Sequence, residues 1–203
     1  MLEESVVQRV LGAGLERGAD FAEIFVEEKR SSSALLDDGR VEELSSGRDR
    51  GAGIRVVVGG STGFAHTSDL SEEGLLAATR TAAAAARGSA GGVRVVDLDR
   101  VDAPRPNEVE VPPSEVPKAR KVELLVSADE QARNVDPAIT QVTARYADSQ
   151  RRILVANSDG VLVDDRRVRS RLVTQAIASD GSETQTGSSG PGLSVGLELF
   201  DLF

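Results

Sequence analysis

The chain has 203 residues, 24 basic against 33 acidic side chains and a net charge of -9, which repels phosphate backbones and anionic lipid and leaves no place for nucleic acid or a membrane as partner. It has no cysteine and no tryptophan, and aromatic residues make up only 3%, so disulfides, thiolate zinc sites and thiol nucleophiles are excluded and the core must be aliphatic. The start Met1 to Ser5 lacks a basic and apolar leader, and no run approaches the ~18 apolar residues of a membrane span, so the cytoplasm is the expected location.

Leu2, Val6, Val7, Val10, Leu11 and Leu15 recur at helical spacing, and Gly18 follows as a stop, which predicts an amphipathic helix over 2–17. From Phe21 to Glu27 the period becomes two, with Ala22, Ile24 and Val26 on one face of a strand. Asp38-Gly39 between two short apolar stretches predicts a hairpin, and Gly59 to Thr62 predicts a second between 53–58 and 63–66. Ser71 suits a helix N-cap, with Glu72 and Glu73 favoured by the helix dipole and Gly88 as terminator.

Residues 89–113 are rich in Gly, Pro and acid, and read as a linker holding a short strand candidate, Val93 to Leu98. A third helix is expected from Ser114 to about Asn134, with Pro117 in its first turn. Strands are expected at 139–147 and 152–156, reversing at Asp148-Ser-Gln, then from Val161 to Ser179 after a turn at Asn157 to Gly160, and over 182–186, with loop from Gly187 to Gly192. The apolar stretch Leu193 to Phe203 lacks a local partner and is expected to be sticky. The sum is an α+β fold of two small domains, 1–88 and 114–203, each with antiparallel strands and hairpins packed against one or two helices.

Several short patterns invite a chemical reading. Gly59-Gly60-Ser61-Thr62-Gly63 matches a nucleophile elbow, but an elbow runs from strand into helix, and here both flanks read as strand, so a glycine-rich turn is the better account of Ser61. His66 is the one histidine and cannot alone build a zinc site; it is a candidate contact to substrate or interface. Asp97 to Glu108 mimics a calcium loop but has Asp102 where the sharp turn needs glycine. Arg167, Arg169 and Arg171 share one face of a strand and are candidate contacts to a peptide carboxylate or a partner subunit.

The runs Gly18-Ala-Asp-Phe-Ala-Glu-Ile-Phe-Val-Glu27, Leu35-Leu-Asp-Asp-Gly-Arg-Val-Glu-Glu43, Gly51-Ala-Gly-Ile-Arg-Val56 and Thr62-Gly-Phe-Ala-His-Thr-Ser-Asp-Leu70 resemble, in order and spacing, the N-terminal domain of the TldD/PmbA metallopeptidases. Ile153-Leu-Val-Ala-Asn-Ser-Asp-Gly160 and the segment from Gly187 through Gly196-Leu-Glu-Leu-Phe200 resemble that family's middle domain, with the TldD branch favoured. The resemblance implies a zinc peptidase of two related subunits, a homo- or heterodimer acting on extended or unfolded peptides. In that family an H-E-x-x-x-H helix of the C-terminal domain holds the metal, and this sequence contains none. No catalytic or metal residue therefore carries over, and the chain is expected to be the front portion of such a subunit, without a metal site or activity of its own. The rival readings are a non-enzymatic peptide- or protein-binding module and a serine hydrolase at Ser61.

Overall fold

The computed structural model describes residues 1–16, 18–86, 96–103 and 108–202. Among them are three α-helices, α1 (Glu4–Leu15), α2 (Glu72–Ala85) and α3 (Lys118–Arg133). The strands are β1 (Phe21–Asp37), β2 (Arg40–Val58), β3 (Ser61–Thr67), β4 (Asp99–Asp102), β5 (Ile139–Asn157), β6 (Val161–Ser179), β7 (Thr184–Ser189) and β8 (Gly192–Leu193). The sheet runs β3-β2-β1-β5-β6-β4, with β7 and β8 also on β6, so the fold is α+β. Hairpins make it largely antiparallel; β4 and β6 pair in parallel. Two compact units divide the chain, one formed by Met1–Lys29, Asp49–Pro104 and Arg152–Arg166, the other by Arg30–Arg48, Arg105–Arg151 and Arg167–Phe203.

In the first unit the apolar stripe of α1, Val7, Val10, Leu11 and Leu15, is buried with Leu75, Ala78 and Ala82 of α2 and with Ile24, Val26, Ile54 and Val56 of the strands. Ser71 caps α2 as expected, its hydroxyl accepting the Gly74 N–H at 3.2 Å. The expected stop at Gly88 lies outside the described residues; the last helical residue is Ala85. Gly59 (φ 52°) and Gly60 (φ 87°) make the two-residue turn into β3, whose register runs from Val58 opposite Ser61 to Ala52 opposite Thr67.

The second unit holds the hairpin at Asp38 (φ 47°) and Gly39 (φ 75°), as predicted, and a core of Ala34, Leu36, Leu125, Ala144, Tyr146 and Leu197. Four local expectations fail here. The helix does not start at Ser114: Pro113–Glu115 is a 3-10 turn, and Pro117 forces Val116 into extended backbone (φ -97°, ψ 127°), so α3 begins at Lys118. No reversal occurs at Asp148-Ser-Gln; β5 runs straight through, because Asp148 is a buried ion-pair partner within the strand. The expected loop from Gly187 is strand as far as Ser189. The terminal apolar stretch is not partnerless: Leu197 and Leu199 are buried in a 3-10 turn, and Phe200 packs against Tyr146 with ring centroids 5.6 Å apart.

The linker reading needs one change. Residues 93–95 of its strand candidate lie outside the described residues, 96–98 belong to no element, and the strand instead covers Asp99–Asp102, aligned with Val161–Asp164 of β6.

Candidate functional site

The glycine-rich hairpin shows why its motif is not an elbow. Ser61 opens β3 and is exposed, and His66 lies five positions along the same strand, so the two side chains leave opposite faces. His66 instead stacks on Phe64, ring centroids 6.4 Å apart. Gly63 is there for another reason: a Cβ at that position would run into the carbonyl oxygen of Ala82 in α2, so glycine lets helix and strand approach. Gly59 donates its N–H to Asp20 at 2.7 Å, which fixes the turn.

On β6 the expected alternation is present. Arg167, Arg169 and Arg171 are exposed, and Ser170 between them is buried. β8 holds the end of this stripe, with Gly192 opposite Arg171 and close against its aliphatic stem.

Opposite the buried face of β6, in the same unit, lies a polar cluster that the sequence reading missed. Lys121 of α3 donates to Asp148 at 2.8 Å and to Ser32 at 2.7 Å, and its ammonium sits 5.5 Å from the centre of the Tyr146 ring. Ser32 also donates to Asp148. Burial pushes the Tyr146 hydroxyl well above the usual phenol value, so it stays protonated. The signal was available: Lys121 precedes Leu125 by one helical turn and so falls on the apolar stripe of α3. Beside the cluster is a groove of about 330 Å³ lined by Leu124, Ala128, Gln131, Leu172, Pro191 and Phe200, among other uncharged residues. It can receive an apolar side chain but supplies no acid or base.

A second carboxylate acts as a clasp. Glu198 accepts N–H bonds from Gly196 at 2.7 Å, Val111 at 3.0 Å and Glu110 at 3.2 Å. Burial alone would raise its carboxyl; the backbone donors together outweigh that and hold it below the usual carboxylate range.

Neither cluster fits a metal. Among the described residues no three His, Cys, Asp or Glu side chains converge, and His66 stands on an exposed strand face. The calcium-loop look-alike at Asp97 includes strand β4, whose extended backbone spreads its carboxylates along the edge. No described helix is long and apolar enough to cross a membrane.

Against known proteins, residues 22–86 match the PmbA/TldA metallopeptidase domain 1, and residues 111–203 match the PmbA/TldA metallopeptidase central domain. A metalloprotease of Methanothermobacter thermautotrophicus is 36% identical over 191 residues, covering 92% of this chain and 40% of that protein. A metalloprotease TldD homolog of Haemophilus influenzae is 31% identical over 189 residues, covering 91% of this chain and 38% of its own length. The crystal structure of TldE from Thermococcus kodakarensis shares the fold with a TM-score of 0.72 at 19% identity, over 93% of this chain and 43% of that one. The chain thus spans about 40% of the length of the curated relatives it matches.

Proposed function

The chain belongs to the TldD/PmbA family of metallopeptidases, and from that premise we propose that it forms the front portion of a TldD-like zinc metallopeptidase subunit in the cytoplasm. Its role there is to enclose extended or unfolded peptides and to contact a related subunit, in a homo- or heterodimer. The observation that carries this reading is the tandem match, domain 1 followed by the central domain, in the order and at the positions where the quoted motifs lie. The same match supports a division of the chain into an N-terminal domain over 1–88 and a middle domain over 114–203, joined by the segment 89–113. The zinc ligands are assigned to a C-terminal domain, since among the described residues no three His, Cys, Asp or Glu side chains converge to fit a zinc centre. His66 and the stripe Arg167, Arg169 and Arg171 are the proposed contacts; guanidinium groups on alternate strand positions suit the carboxylates of a peptide or of a partner subunit.

The test is metal analysis and peptide hydrolysis, carried out on the 203-residue chain and on the protein extended through its C-terminal domain. The short chain should hold no stoichiometric zinc and cleave no unfolded peptide, and the extended protein should do both and lose activity to a chelator. One tightly bound zinc per short chain would overturn the assignment of the ligands.

A further inference from the structure

We propose that the open face of β5 and β6 in the second unit binds acidic stretches of an extended peptide, through Arg145, Arg169 and Arg171. On these neighbouring strands β5 buries Val142, Ala144, Tyr146 and Asp148, and β6 buries Ser170 and packs Leu172 on the core that also holds Leu125 of α3. The odd positions of both strands therefore share the other face. There Arg145, Arg169 and Arg171 are exposed, and among the described residues none of their guanidinium groups has a hydrogen bond or an ion pair. Arg167, farther along the stripe, already interacts within the chain, so the site is centred on the other three. Arg145 stands twelve positions before the end of β5 at Asn157 and Arg171 ten positions after the start of β6 at Val161, so across the hairpin the two are diagonal neighbours.

The charge distribution selects the occupant. The chain as a whole carries -9, yet the odd positions of β5 from Ile139 to Arg151 and of β6 from Arg167 to Ser179 hold arginines and no acid, and β7 beside them holds no charge at all. A guanidinium without an acid of its own chain presents its whole fork to a carboxylate from outside. Alternate positions of a strand are about 6.7 Å apart, and so are alternate side chains of an extended peptide. Glu or Asp at i and i+2 of such a peptide thus meets Arg169 and Arg171 in step, with Arg145 as a third donor from the next strand. Nucleic acid suits the face less: those odd positions carry no aromatic ring for a base to stack on. A peptide of few charges also meets less of the repulsion from the net charge than a polyanion does.

The inference rests on the reading that the chain holds extended peptides, and it names which of them it prefers; it needs neither zinc nor hydrolysis. The test is fluorescence anisotropy of the 203-residue chain with labelled ten-residue peptides of alternating Glu and Thr or of alternating Gln and Thr. The Glu peptide should bind about tenfold or more tightly than the Gln peptide, and more weakly as salt is raised. Arg145→Ser, Arg169→Ser and Arg171→Ser should each weaken it about threefold, and the triple variant should abolish the preference, while Arg80→Ser on α2 leaves it unchanged. Arg145→Glu/Arg169→Glu should prefer a peptide of alternating Lys and Thr, with circular dichroism showing that each variant keeps its fold. Equal binding of the Glu and Gln peptides would overturn the preference and leave the peptide-holding reading standing. Equal losses in Arg80→Ser and the three face variants would overturn the site, and tighter binding of single-stranded DNA of the same charge would overturn the choice of ligand.

Discussion

Lys121 and Asp148 have side chains only 5% exposed and sit 2.8 Å apart, so each charge is tolerated only because the other is present. Removing the ammonium alone strands a buried carboxylate. We predict that Lys121→Met costs about 3–5 kcal/mol, whereas Lys121→Met/Asp148→Leu recovers most of it, because two apolar groups need no partner. Urea unfolding of the three proteins tests this, and a single variant as stable as the double would refute the coupling. The pair escaped sequence reading because Asp148 beside Ser149 has the local chemistry of a turn, and its partner is on another element.

Between elements, the contact of α2 with β3 depends on an absent side chain. Gly63→Ala would press a methyl into the last turns of α2 and is expected to destabilise the protein by about 1–3 kcal/mol. Ser61→Ala, two positions away at an exposed turn, should stay within about 0.5 kcal/mol. Thermal unfolding of both variants separates the readings: if the serine change were the costly one, the turn would hold more than geometry. The pattern Gly-x-Ser-x-Gly was visible in the sequence, but its meaning depended on the element after the turn. That element is the strand β3, and the glycine that closes the pattern serves helix packing.

For the whole molecule, acid is the informative variable. Glu198 is held below the usual range by its backbone donors despite burial, and Asp37 is held below it by Thr143 and Gln141. A carboxylate with a lowered folded-state pKa gives stability that is present above the unfolded value and lost as pH falls through the folded one. Stability should therefore hold above about pH 5 and decline below about pH 4. Glu198→Gln should lower stability at neutral pH by about 1–3 kcal/mol and flatten the decline, since the amide cannot accept every donor. Urea midpoints across that range decide it; an acid decline of unchanged slope in Glu198→Gln would exclude the clasp as its source.

The sequence by itself determined the features whose cause is local. The apolar stripe of α1, the Ser71 cap and the turns at Asp38-Gly39, Gly59-Gly60 and Asn157 to Gly160 come from side-chain period and from backbone that glycine tolerates. The motifs in their order also carried the family. Tertiary structure decided the rest: β5 straight through Asp148, a strand at Asp99 to Asp102 beside β6 where the candidate was Val93 to Leu98, and the Leu197 to Phe200 segment turned inward. Each depends on a partner far along the chain, such as Val111 for Glu198 and Tyr146 for Phe200, and no periodicity within a short window encodes such a pairing.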